Sequence, residues 1–405
     1  MQYPEYYISL EDKYGAHNYH PLPVVLTRGQ GVHLWDVEGK RYYDFLSGYS
    51  AVNQGHCHPK IVDAFVKQAH QLTLTSRAFY NDKLGEFEKY ITELLGYDKV
   101  LPMNTGVEAV ETGIKLCRKW AYEVKGIPEN EAVIIVCDHN FHGRTSTVIS
   151  FSSDPDSKAN FGPYMGGFLT IPYNNPEALA EALKYKNIAG FLVEPIQGEA
   201  GVIVPDEGYL STAKKLCEEN QVLFIADEIQ TGLCRTGKML CCDHEDVKPD
   251  ILLLGKALSG GMMPVSAVLT NDEIMLTIKP GQHGSTYGGN PLACVTAIAS
   301  LAVLEEEKMA DNAMALGEYF REELVKINSP FISAVRGKGL LNAIEIKSKD
   351  AEAAWKLCLL LKEEGLLAKP THGDKIRFAP PLCITKKQIT ECIGIIKNSL
   401  EKLEE

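Results

Sequence analysis

Two ionisable side chains stand at the ends of short apolar runs. Lys256 lies just past Ile251-Leu252-Leu253-Leu254 and ahead of Ser259-Gly260-Gly261, and Asp227 closes the run Val222-Leu223-Phe224-Ile225-Ala226. Each run predicts a short buried strand, so each residue is delivered to the carboxyl edge of a parallel sheet, where open α/β folds take their ligands. A lysine there can form a Schiff base with an aldehyde, and an acid there can keep a ring nitrogen protonated; pyridoxal phosphate needs both. Taken singly, the lysine also reads as a solvated loop residue, and Asp227-Glu228 as the acidic end of a nucleotide-hydrolysing strand.

A phosphate-bearing cofactor also needs an anion site. Asn104-Thr105-Gly106-Val107-Glu108-Ala109 precedes a helical pattern running to Trp120, with Thr105 as N-cap and Gly106 letting backbone approach a ligand. Exposed amides at a helix start attract anions, although many helices simply begin this way. His283-Gly284-Ser285-Thr286-Tyr287-Gly288-Gly289-Asn290 adds a glycine-rich turn whose two hydroxyls suit phosphate oxygens. Neither segment has the glycine spacing of a dinucleotide fingerprint or the Gly-Lys-Ser/Thr ending of a nucleotide P-loop.

The elements that position these residues follow from the pattern of the chain. Residues 1–49 form an N-terminal arm carrying a hairpin through Gly31–Gly39 and Arg41–Phe45. From 50 to 298, apolar runs at Val133–Cys137, Gly190–Val193, Val222–Ala226, Ile251–Leu254 and Val265–Leu269 alternate with helical patterns. That alternation predicts an α/β large domain with a mostly parallel sheet flanked by helices. A long helical pattern over about 290–327 leads into a small α+β C-terminal domain, 299–405. With 405 residues, 45% hydrophobic and 23% charged, the chain suits a globular enzyme of two domains. No apolar run reaches the roughly 20 residues of a membrane helix.

A net charge of -12 argues against a nucleic-acid partner. Anionic substrates must then be met by local arginines. Eleven cysteines, an odd number without framework spacing, point to a reducing compartment. The first residues lack a secretion or transit layout, so the cytoplasm is expected, or the mitochondrial matrix if a presequence was removed. His56-Cys57-His58 and Cys241-Cys242-Asp243-His244 lack a second ligand pair at metal-site spacing, so no metal is expected.

In order along the chain come Tyr14-Gly15-Ala16-His17-Asn18-Tyr19, Val52-Asn53-Gln54-Gly55-His56-Cys57-His58-Pro59, the Asn104–Ala109 segment, Glu194-Pro195-Ile196-Gln197-Gly198-Glu199-Ala200-Gly201, Ala226-Asp227-Glu228-Ile229-Gln230-Thr231-Gly232 and Leu254-Gly255-Lys256-Ala257-Leu258-Ser259-Gly260-Gly261. With these segments the chain resembles, nearly end to end, the class III aminotransferases of the fold type I pyridoxal-phosphate enzymes. The Tyr14–Tyr19 arm is the part most particular to members that use ornithine. At His142 the resemblance departs, since a larger aromatic such as tryptophan is expected there in many relatives.

The resemblance implies roles for matching residues. Lys256 would carry pyridoxal 5'-phosphate and shuttle a proton, with its amine made less basic by burial. Asp227 would pair with the pyridine nitrogen, Gln230 would contact the ring's phenolic oxygen and Phe141 would stack on the ring. The amides of Gly106 and Val107 would hold the phosphate with Ser285 and with Thr286 of a neighbouring subunit, implying a homodimer with composite sites. Arg377 would bind the α-carboxylate of glutamate or 2-oxoglutarate and Arg144 the distal one. With ornithine bound, Glu199 would neutralise Arg377 while Tyr19 and Arg144 hold the amino-acid end and Tyr49 shapes the pocket.

The activity so implied is transfer of the δ-amino group of ornithine to 2-oxoglutarate, giving glutamate 5-semialdehyde, which cyclises to pyrroline-5-carboxylate, and glutamate. The rivals are a 4-aminobutyrate or N-acetylornithine aminotransferase and a non-catalytic binder of the same cofactor. A nicotinamide oxidoreductase lacks its glycine fingerprint here.

Overall fold

The computed structural model describes residues 3–404. A helix, Pro4–Tyr14, precedes three strands, β1 (Leu26–Gln30), β2 (His33–Asp36) and β3 (Arg41–Asp44), paired antiparallel in that order. Seven strands then form the central sheet: β4 (Lys99–Met103), β5 (Val133–Cys137), β6 (Phe168–Ile171), β7 (Ile188–Val193), β8 (Leu223–Asp227), β9 (Ile251–Leu254) and β10 (Ser266–Thr270). Their spatial order is β4-β10-β9-β8-β7-β5-β6, with β6, β5, β7, β8 and β9 parallel and β10 antiparallel to both β9 and β4. The mostly parallel sheet is therefore as expected. β7, β8 and β9 are buried at every position, which is why they read as continuous apolar runs instead of alternating ones.

Two strands, β4 and β6, escape the pattern reading, because Lys99 and Pro102 interrupt one and the other is only four residues long. The helical stretch over 290–327 is two helices, Pro291–Glu306 and Met309–Lys326, parted where Lys308 takes a left-handed conformation at φ +49. The turn lets the second helix pack elsewhere while both stay amphipathic or buried.

The C-terminal region carries β11 (Ile332–Lys338), β12 (Leu341–Ile346), β13 (Leu366–Leu367), β14 (Lys369–Thr371) and β15 (Lys375–Phe378). β11, β12, β15 and β14 pair antiparallel in that order, with helices Ala353–Glu363 and Lys386–Glu404 packed nearby. β13 instead pairs parallel to β3. That pairing joins the N-terminal hairpin to the C-terminal region. Val32, Tyr43 and Phe45 are buried in the same apolar cluster as Phe320 and Phe378, and the Phe45 ring lies edge-on to both phenylalanines.

Arg235 clips these parts together. Its side chain is 0% exposed, and it donates to Asn53 Oδ1 (2.5 and 3.2 Å) and to the carbonyls of Leu340 (3.0 Å) and Pro380 (2.6 Å). Pro380 follows β15 by two residues, so the clip fixes the strand that carries Arg377 against the segment beyond Tyr49.

No helix among the described residues is long and apolar enough to cross a membrane.

Candidate active site

The carboxyl ends of β4, β5, β7, β8 and β9 lie along one edge of the sheet, and the loops leaving them supply the site. Asp227 is the last residue of β8 and is buried. Its Oδ1 accepts the Ile229 amide at 3.1 Å, and its Oδ2 meets Nδ1 of His142 at 2.7 Å. Lys256 follows β9 by two residues with φ +43, a left-handed conformation that costs a side-chain-bearing residue on the order of 1 kcal/mol and recurs at functional positions. Its amine makes no hydrogen bond among the described residues. Burial makes that amine less basic and the nearby Arg377 charge adds to the effect, while Glu199, Asp227 and Glu194 oppose it.

The anion site is built by the helix Gly106–Trp120. Thr105 caps it: its hydroxyl accepts the Glu108 amide at 3.4 Å, and Glu108 Oε2 takes the amides of Thr105 (2.7 Å) and Asn104 (3.0 Å). The next two amides, of Gly106 and Val107, have no partner among the described residues and sit at the positive end of the helix dipole. Ser285 Oγ is tied to the same corner, accepting from Asn104 Nδ2 at 2.7 Å and from the Gly288 amide at 3.2 Å. The loop after β5 closes over it, because at Gly143 (φ +122) a Cβ would fall 2.4 Å from Val107 Cγ2.

A second group surrounds Arg377, on β15. Its Nη1 donates to Glu199 Oε1 at 2.8 Å and to Gln230 Oε1 at 3.3 Å, and Gln230 Nε2 donates to the same Glu199 oxygen at 3.2 Å. Gln230 fits there because Gly198 has no Cβ, which would stand 1.6 Å from its Oε1. Burial alone would raise the Glu199 carboxyl, but the charges of Arg377 and Lys256 overcome that and hold it down at about 2. Arg377 Nε is buried without a partner, a spare donor for an incoming carboxylate.

The Tyr49 ring lies 5.1 Å from the Arg377 guanidinium carbon. It is presented by four successive left-handed residues, Ser47 to Ser50, whose start is pinned by Asp44 Oδ1 accepting the amides of Leu46 and Ser47 at 2.9 and 2.8 Å. Burial raises the Tyr49 hydroxyl first, and Glu199, Arg377, Tyr19 and Arg144 all lie near enough to act on it. The Arg144 guanidinium stands 5.7 Å from the centre of the Phe141 ring.

The structure thus gathers Lys256, Asp227, Gln230, Glu199, Arg377 and Tyr49 on one side, and Phe141, Arg144, Gly106, Val107 and Ser285 beside them. Thr286 and Tyr19 are left open to solvent: both are exposed, Tyr19 at 66% although near enough to Tyr49 to act on its hydroxyl, and neither makes a hydrogen bond among the described residues. His56 and His58 are taken up by Asp44 (2.7 Å) and Glu307 (2.9 Å), and His244 meets the Thr236 carbonyl at 3.0 Å.

Glu194 was not singled out by residue reasoning. It is buried at the end of β7, accepts the Phe141 amide at 2.8 Å, and is pushed up to about 7 by burial and by Asp227, against the charge of His142. The signal was available: a carboxylate closing an apolar run, as at Asp227.

These residues fit pyridoxal 5'-phosphate. Two free helix-start amides suit its phosphate, an unpartnered amine its aldehyde, a buried carboxylate its ring nitrogen and the partly exposed ring of Phe141 its face. Fold and site together are those of a fold type I pyridoxal-phosphate enzyme.

The family model described as aminotransferase class-III matches residues 14–400. The mitochondrial ornithine aminotransferase of Drosophila ananassae is 64% identical over 390 residues, covering 96% of this chain and 90% of that one. A solved structure of the ornithine aminotransferase from Toxoplasma gondii superposes with a TM-score of 0.98 at 50% identity, covering 99% and 95% of the two chains. One of an acetylornithine aminotransferase from Elizabethkingia anophelis gives 0.92 at 60% identity, covering 99% and 100%. The chain belongs to the class-III aminotransferases, and its cofactor is pyridoxal 5'-phosphate.

Proposed function

We propose that this chain is an L-ornithine:2-oxo-acid aminotransferase that moves the δ-amino group of ornithine to 2-oxoglutarate. The observation that carries this reading is the pair of buried Arg377 with half-buried Glu199 at 2.8 Å, bridged by Gln230. One site must accept ornithine by its terminal amine and then 2-oxoglutarate by the carbon beside a carboxylate. With Glu199 on Arg377, no anion is sought near the reacting carbon, which suits ornithine. With Glu199 displaced, the planar fork of Arg377 receives the α-carboxylate, which suits 2-oxoglutarate and glutamate.

Pyridoxal phosphate, when bound, takes up the amino group and delocalises the charge left as a proton leaves the carbon that bore it. Gly106, Val107 and Ser285 would hold its phosphate, Asp227 its ring nitrogen, Gln230 its phenolic oxygen and Phe141 its face. Lys256, with a less basic amine, takes the proton from the substrate carbon and returns it. Arg144 and Tyr19 hold ornithine's α-amino-acid end, Arg144 at the carboxylate and Tyr19 at the α-amino group, and Tyr49 shapes the pocket between the two arginines.

The working unit in this reading is a homodimer. Its support is the exposure of residues a complete site would cover: Thr286, Tyr19, Tyr287 at 58% and Tyr80, fully exposed. Eleven free cysteines support a reducing compartment, the cytoplasm or the mitochondrial matrix.

A second reading, an N-acetylornithine aminotransferase, draws on the resemblance to the Elizabethkingia anophelis structure. The test mixes the holoenzyme with L-ornithine, N-acetylornithine or 4-aminobutyrate without any keto acid and follows the cofactor's absorbance. Fast loss with ornithine alone, restored by 2-oxoglutarate, is expected. Equal or faster loss with either rival amine reassigns the substrate.

A further inference from the structure

His142 follows the ring-stacking Phe141, yet it does not line the face that Phe141 presents. Its ring is 3% exposed and turned inward, packed at 6.0 Å between centroids against Phe151, with Nδ1 2.7 Å from Asp227 Oδ2. A carboxylate only accepts, so Nδ1 carries the proton and donates it. Nε2 is buried and has no partner among the described residues.

Asp227 is thereby held at both oxygens, by a backbone amide at Oδ1 and by His142 at Oδ2. His142 is the one side chain that donates to it among the described residues. The backbone amide of Ile229 fixes where the carboxylate sits along the strand end; a second donor on the other oxygen stops rotation about the Cβ–Cγ bond and sets the carboxylate plane. That plane decides whether an oxygen meets a ring nitrogen in line. The next residue of the same loop, Gly143, packs on Val107 at the anion corner, and Phe141 is anchored by Glu194. The segment Phe141–Gly143 therefore ties together the anion corner, the aromatic ring and the buried acid Asp227.

We propose that His142 is a positioning residue for the cofactor: its Nδ1–H holds the Asp227 carboxylate in the plane that pairs with the pyridine nitrogen, so cofactor retention passes through this hydrogen bond and not merely through the packing of an aromatic ring. The inference rests on Asp227 being the partner of the cofactor's pyridine nitrogen and is independent of which amine is the substrate.

Two substitutions separate the hydrogen bond from packing. His142→Phe keeps ring volume and removes the donor; His142→Asn loses the ring but keeps an N–H on the atom bonded to Cγ, where Nδ1 stands. The readouts are the equilibrium affinity of the cofactor-free protein for pyridoxal phosphate, by quenching of intrinsic fluorescence, and the pH at which the bound cofactor's absorbance changes. A charge-assisted hydrogen bond predicts roughly tenfold to hundredfold weaker binding and a displaced absorbance titration in His142→Phe, and values within about threefold of the parent in His142→Asn. Equal loss in both, or a loss confined to His142→Asn, overturns the proposal. Should His142→Phe fail to fold, nitrogen-15 spectra of histidine in the parent holoenzyme decide. A slowly exchanging, strongly deshielded Nδ1 proton that shifts when cofactor is removed supports the role, and its absence overturns it. Substrate does not enter either measurement, so failure here and failure of the ornithine assignment are distinguishable.

Discussion

Replacing Glu199 by glutamine tests the two-state arginine most directly, because it keeps the shape and removes the charge. Glu199 Oε1 lies 2.8 Å from Arg377 Nη1, and against burial the charges of Arg377 and Lys256 hold the Glu199 carboxyl at about 2, below an ordinary 4.5. At 1.36 kcal/mol per pH unit that difference is on the order of 3 kcal/mol shared among its partners, and the hydrogen bond to Arg377 itself is worth about 1.5–3 kcal/mol. An α-carboxylate must displace this partner before Arg377 can receive it. In Glu199→Gln the competitor is weaker, so the glutamate half-reaction should gain roughly tenfold to hundredfold in its apparent second-order constant. The ornithine half-reaction should lose by a similar factor, since Arg377 is left uncompensated near the reacting carbon. The assay is stopped-flow absorbance of the holoenzyme with each amino acid alone. A glutamate reaction that slows, or stays unchanged while ornithine slows, refutes the competition argument and leaves Glu199 as an ornithine contact only.

Tyr19→Phe should weaken ornithine about tenfold, one hydrogen bond to a charged group, while 4-aminobutyrate, which lacks the α-amino group, changes little; equal losses for both amines contradict the assignment. Arg235→Met leaves the Asn53 oxygen and the Leu340 and Pro380 carbonyls unpaired but removes a buried cation whose own group is pushed down to about 9 by burial, so a net destabilisation of about 3 kcal/mol is expected from urea unfolding, and a gain in stability counts against the clip. In the cofactor-free protein Glu194 keeps its proton to about 7 while the unfolded chain loses it near 4.5, so the folded state binds more protons in that window and this residue lowers stability as pH rises through it. His142 acts in the same sense, its contribution being full below 6.5 and lost as pH rises through its raised folded value, which the Asp227 hydrogen bond sustains against burial. Glu194→Gln should therefore gain stability over the parent progressively from about pH 4.5 to 7, and a difference that is flat or shrinking over that range contradicts the burial argument.

Much of the site was written in local sequence because parallel strands buried on both faces must be continuous apolar runs, and whatever polar residue ends such a run falls on the ligand edge. Asp227, Lys256 and the Thr105 cap were legible for that reason. β4 and β6 were not, since a lysine, a proline and short length erase the run. The hairpin was legible as a hairpin but not as part of the core: its alternation gives the pairing of β2 with β3, whereas its union with β13 depends on residues more than 300 positions away.

What the sequence by itself determined was the chemistry at each strand end and the class of enzyme, because strand burial and cap chemistry are local properties. What only the tertiary structure decided was which polar groups share a hydrogen bond across long separations. Arg235 joins Asn53 to Pro380 and His142 reaches Asp227 across 85 positions, whereas the Arg377–Glu199 pair, 178 positions apart, was implied only through the family resemblance. Such pairings carry no spacing signal. They are set by sheet order and by the packing of the C-terminal strands on the carboxyl edge, where a buried donor without its distant acceptor would be too costly to keep.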